Sequence, residues 1–97
     1  METDKFIHKN IKDYILYVSD VKNLSKNTSL SYERDLKKFA AFISSLDISQ
    51  YNQIDEEVCS AWIGDLFTSG NNPRSIQRHL SSAKGFFKFL KKNGLIS

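Results

Sequence analysis

Six cations stand on the last stretch of the chain with no acid among them. Arg74, Arg78, Lys84, Lys88, Lys91 and Lys92 fall between Asn71 and Ser97, a segment without Asp or Glu. The first 70 residues carry the other eight Lys and Arg and all eleven acids, so the net charge of +3 is −3 (8 − 11) from that part and +6 from the rest. At about 100° per residue, Arg74, Arg78, Ser81, Gly85, Lys88 and Lys92 share one narrow arc of a helix. The arc is positive at both ends and small in the middle, which lets another surface approach the helix axis. Its chemistry is the binding of a polyanion, for which nucleic acid is the commonest match. Arginine forks onto phosphate or guanine and lysine acts as a point charge. Arg74, Ser75, Gln77 and Arg78 open the helix, where backbone dipoles also favour an anion, and are expected nearest a duplex groove. Lys88 and Lys92 are expected further along its backbone. A merely solvated face normally mixes both signs.

A weaker version of the same arrangement precedes it. Asn27, Ser31, Arg34 and Lys38 form the outward face of an earlier helix, with Thr28 at its start and Glu33 and Asp35 diluting the charge. Ser25 and Thr28 also suit plain capping roles.

Other chemistries find little material. His8 and His79 are far apart and make a poor metal pair, better suited to exposed or helix-packing roles. The single Cys59 excludes an internal disulfide and a cysteine-based zinc site. The four glycines are scattered, so there is no phosphate-cradling loop. Tyr14, Tyr17, Tyr32 and Tyr51 have no arginine–histidine cluster in register, and Tyr17 and Tyr51 read as amphipathic surface residues. No metal, no cofactor and no catalytic residue is expected. No segment is long and apolar enough to cross a bilayer, and no signal peptide opens the chain, which makes cytoplasm the default.

These residues must be held by helices. One proline and four glycines leave few breaks, and apolar residues recur at helical spacing. Helix one is expected over Phe6 to Val21, with Ile7, Ile11, Tyr14, Ile15 and Val18 inward. Helix two starts near Ser25 or Asn27 and ends near Ser45, on a seam of Tyr32, Leu36, Phe39, Ile43 and Leu46. Asp47 to Ile54 reads as a loop with Ile48 and Ile54 tucked in. Asp55 caps helix three, which buries Val58, Trp62, Ile63, Leu66 and Phe67 and closes at Gly70. Asn72 caps helix four with Pro73 at its first position, and Gly94 ends it. Its expected seam is Ile76, Leu80, Ala83, Phe87 and Leu90. The reading is a single all-α domain, a compact bundle of four helices with room for a fifth.

The order of motifs resembles a known family. Leu24-Ser25-Lys26-Asn27-Thr28 through Tyr32, Asp35-Leu36 and Phe39 is similar to the L-S-x-x-T-x-x-x-Y-x-x-D-L-x-x-F helix of tyrosine recombinase core-binding domains. Arg74-Ser75-Ile76-Gln77-Arg78-His79-Leu80-Ser81 through Phe86-Phe87-Lys88-Phe89-Leu90 resembles their R-S-I-x-R-x-L-S-x-L-R-x-F-Y-x-F-L. Asn93-Gly94-Leu95-Ile96 resembles the E-G-L-I exit. The likeness is to the Xer-type branch and to phage and transposon integrases.

The resemblance implies a SAM-like integrase N-terminal domain that closes over one face of double-stranded DNA, while a separate C-terminal catalytic domain of the same parent chain closes the other. It implies recombinase protomers as further partners. It makes Thr28, Ser31 and Arg34 helix-two DNA contacts and Arg74, Ser75, Arg78 and Lys84 helix-four contacts. Ala83-Lys84 stands where Leu-Arg is usual, and Leu30 is an odd residue for a phosphate-facing side. The family's nucleophilic tyrosine and H-x-x-R box belong to the catalytic domain. His79-Leu80-Ser81-Ser82 is not that box, so residues 1–97 read as a non-catalytic fragment.

DNA binding is therefore the expected function, with reversal of Arg74 and Arg78 to glutamate abolishing it and sparing the fold. The alternative is a helical protein-interaction module using Phe86, Phe89 and the acidic start of helix three. A helix-turn-helix regulator turning at Gly70-Asn71-Asn72-Pro73 ranks below both.

Overall fold

A computed structural model describes residues 2–48 and 50–96, with side chains from Ile7 onward; Met1, Ser49 and Ser97 lie outside the described residues. Four α-helices follow in order: α1 Glu2–Asp20, α2 Lys26–Ser45, α3 Glu56–Thr68 and α4 Pro73–Lys92, with a 3-10 turn at Tyr51–Gln53. There is no strand among the described residues. The fold class expected from periodicity is the one observed, and the extra element is that short turn.

The starts of α2, α3 and α4 have a chemical cause. Ser25, Asp55 and Asn72 accept from the backbone N–H groups of Thr28, Val58 and Ser75 at the heads of α2, α3 and α4. Each such cap is worth about 1 kcal/mol. The exits share a device: Asn23, Asp47, Gly70 and Gly94 all have positive φ. After α4, Gly94 donates to the Lys91 carbonyl and Leu95 to that of Leu90, which satisfies carbonyls the helix leaves open. The glycine exits were legible; Asn23 and Asp47 do the same work at a steric cost that short polar side chains tolerate.

The core is one cluster built from all four helices. α1 packs on α2, α4 packs on both, and α3 lies against α2 and α4. Phe39 meets Trp62 edge-on at 4.8 Å between centroids, and Tyr14 meets Phe86 at 5.8 Å. Several expected core residues lie at the margin. Leu46 and Phe67 are exposed, since each falls at a helix end beyond the packed turns. Leu80 is also exposed, at the mouth of an apolar pocket of about 260 Å³ that it lines with Phe39, Trp62 and Phe87. Tyr17 and Tyr51, expected on the surface, are half-buried: Tyr17 packs on Phe89 and the Tyr51 hydroxyl accepts from Asn10 Nδ2 at 2.8 Å.

Candidate nucleic-acid interface

The buried stripe of α4 is Ile76, His79, Ser82, Ala83, Phe86 and Leu90. It is turned by roughly 60° from the expected seam, at about 100° per residue. The cause lies on α2. Asp35, expected to sit outside and dilute the charge, is 2 % exposed and faces α4. Its carboxylate accepts from Arg78 Nε at 2.8 Å and Nη2 at 2.9 Å. Ser82 Oγ donates to it at 3.3 Å, while its better bond goes to the Arg78 carbonyl at 2.8 Å. A buried carboxylate must be paired, and α4 rolls to bring Arg78 to it.

Three members of the basic arc stand differently from the expectation. Arg78 does not point freely outward; it is half of a bidentate ion pair with a buried partner. Reversing it to glutamate would set two carboxylates together, so the expected fold-sparing reversal of Arg74 and Arg78 does not hold. Gly85 is not an open gap for a phosphate backbone either. A Cβ there would overlap the Tyr14 hydroxyl, so α1 itself occupies the close approach. Lys92 also leaves the arc, its ammonium lying 5.6 Å from the Tyr17 ring centroid, with Lys22 at 6.0 Å.

Arg74, Gln77, Ser81, Lys84 and Lys88 are all exposed on α4, as is Lys91 near its end. No ion pair among the described residues engages Arg74, Lys84 or Lys88. Ser75 is half-buried, and its N–H is taken by the Asn72 cap at 2.8 Å. On α2, Arg34 and Lys38 are exposed and Ser31 is half-buried beside them. Thr28 is committed to the cap: its Oγ1 accepts from Ser25 Oγ at 2.8 Å. Glu33 faces Lys37 at 4.0 Å along α2, an exposed pair of little energetic weight. α2 and α4 pack together, and Asp35 joins them to each other through Arg78.

His79 is the residue that type alone could not place. It is fully buried, with its ring edge-on to Trp62 at 5.9 Å. Nδ1 lies 3.5 Å from Asp35 Oδ1, too far for a good hydrogen bond, and neither ring nitrogen has a partner. Burial pushes its pKa down, Asp35 opposes this, and the charges of Arg78 and Lys38 add to the depression. The Asp35 hydrogen bonds push the Arg78 guanidinium further up. Burial also raises the Tyr14 hydroxyl to about 12, with Tyr32 and Tyr17 contributing. Phe86 is wholly buried and Phe89 packs on Tyr14 and Tyr17. Phe86 is therefore closed to a partner, and Phe89 is half-buried against α1. Asp35, Ser82 and Asn10 escaped sequence reading because a polar type at a helical phase near the seam looks like an exposed residue. The pairing of Asp35 with Arg78 across 43 positions accounts for Asp35 and Ser82, and the Tyr51 hydroxyl accounts for Asn10.

Residues 11–94 match the profile of the phage integrase N-terminal SAM-like domain, and the chain belongs to that family. Tyrosine recombinase XerD of Staphylococcus aureus strains N315 and MW2 is 33% identical over 79 residues, covering 81% of this chain and 27% of that protein. The Staphylococcus epidermidis protein of the same name is 32% identical over the same length. The chain thus spans 27% of the length of the curated relatives it matches. No solved structure gives a significant match. No helix among the described residues is long and apolar enough to cross a membrane.

Proposed function

We propose that this domain binds double-stranded DNA through the outward sides of α4 and α2, as the core-binding domain of a site-specific tyrosine recombinase. The observation that carries the reading is the acid-free face of Arg74, Gln77, Ser81, Lys84 and Lys88. From Arg74 to Lys88 it runs about 21 Å at about 1.5 Å per residue, longer than the major groove's width of about 12 Å. Cations at its ends reach the two flanking phosphate backbones, while the uncharged Gln77 and Ser81 between them face base edges. Arg34 and Lys38 extend the positive side from α2. The strand-cleaving nucleophile and its arginine and histidine partners belong, on this reading, to a catalytic domain of the same parent chain. That domain and neighbouring protomers on DNA are the other partners, in the cytoplasm.

Binding should be mostly phosphate neutralisation, with a dissociation constant on the order of 10⁻⁴ to 10⁻⁶ M at physiological salt. The test is a duplex titration of the double variant Arg74→Glu, Lys88→Glu, whose side chains hold no ion pair among the described residues. Loss of binding with an unchanged thermal melt supports the reading. An unchanged isotherm contradicts it.

A further inference from the structure

The contact between Asp35 and Arg78 does more than join two helices. A guanidinium has five N–H donors in a rigid fork. Asp35 takes one from Nε and one from Nη2, and the other three have no partner among the described residues. The carboxylate is 2 % exposed and the arginine side chain 47 %. An anion arriving from solvent therefore meets the cation and not the acid beneath it. Arg34 is the sequence neighbour of Asp35, and Lys38 is close enough to act on His79, so the surroundings of this spot are positive.

We infer that Asp35 is a positioning residue for DNA, holding the Arg78 guanidinium so that its Nη1 edge is presented to a phosphate oxygen at the α2–α4 junction. The inference rests on the DNA-binding reading above. Its physical content is pre-organisation: a long side chain already fixed loses less freedom on meeting its ligand. The carboxylate also lowers the local positive field, so Coulomb's law alone predicts tighter binding when its charge is removed. The two accounts differ in sign.

The experiment is a double-mutant cycle on duplex affinity, using a short mixed-sequence DNA and the variants Asp35→Asn, Arg78→Gln and both together. Positioning predicts that Asp35→Asn weakens binding roughly three- to tenfold when Arg78 is present. In the Arg78→Gln background it should leave binding unchanged or tighten it. The same change in both backgrounds overturns the inference. Should either variant fail to fold, the wild-type chain decides by ¹⁵N-edited spectra of the Arg78 side chain. With duplex added, the Nε–H signal should keep its position while the Nη1 protons shift. Movement of Nε–H, or an undisturbed Nη1 at saturation, overturns positioning while the wider DNA reading stands. No wild-type binding at all removes both.

Discussion

The Asp35 carboxylate and the Arg78 guanidinium meet as two parallel hydrogen bonds of 2.8 and 2.9 Å, one partner buried and the other half in water. That contact fixes the rotation of α4, and through it decides which cations reach the surface.

Truncating Arg78 should therefore cost stability. Breaking a fully buried pair costs about 3–5 kcal/mol, and the partial exposure of Arg78 reduces this. Arg78→Ala is expected to lose about 2 kcal/mol in urea unfolding, and Arg78→Glu more. Equal melts for wild type and Arg78→Glu would show that the pair holds nothing together.

The close approach of α1 to α4 gives a second expectation. Gly85→Ala places a methyl on the Tyr14 hydroxyl, and overpacking of this kind costs about 1–3 kcal/mol. Removing the hydroxyl makes room. In a Tyr14→Phe background Gly85→Ala should be neutral or stabilising by about 0.5–1 kcal/mol, because alanine favours helix over glycine. Additive losses in the double variant, measured by thermal melting, would contradict the packing described.

These residues also mark how far the sequence could be read. Caps at Ser25, Asp55 and Asn72, and exits at Gly70 and Gly94, follow from local chemistry, and the structure has them. Seams of α1 and α2 were legible because their buried residues are mostly apolar. The phase of α4 was not, since His79 and Ser82 are polar by type and buried by position. Periodicity ranks residues by hydropathy, so it set Arg78 and Gly85 outward and Leu80 inward. The charge asymmetry that marks the candidate interface survives this correction. Arg78, Gly85 and Lys92 have internal neighbours in Asp35, Tyr14 and Tyr17, which periodicity does not show.

His79 makes stability depend on pH. The unfolded histidine titrates near its ordinary value of 6.5, and the buried ring titrates lower. Below that ordinary value the unfolded chain binds the extra proton first, so stability falls as pH drops towards the folded-state pKa. Above it this contribution is complete and flat. The melting temperature should decline on acidification from neutral, and His79→Leu should flatten that decline. An identical pH profile in the variant would remove His79 as its source.

Salt should report the phosphate contacts one by one. The slope of log affinity against log salt falls by about 0.9 for each contact removed. Lys84→Gln should flatten it by about that amount, while Lys37→Gln, whose side chain faces Glu33, should leave it as it was. Equal slopes for Lys84→Gln and wild type would take Lys84 out of the interface.

The most direct test is an amide chemical-shift titration of the isotopically labelled chain with a short DNA duplex in dilute buffer. Shifts should gather at Arg74, Gln77, Ser81, Lys84 and Lys88 on α4 and at Ser31, Arg34 and Lys38 on α2, leaving Glu56 and Glu57 at the acidic head of α3 undisturbed. Shifts confined to α3, or none anywhere, would contradict the claim that the acid-free side of α4 is a DNA-binding face.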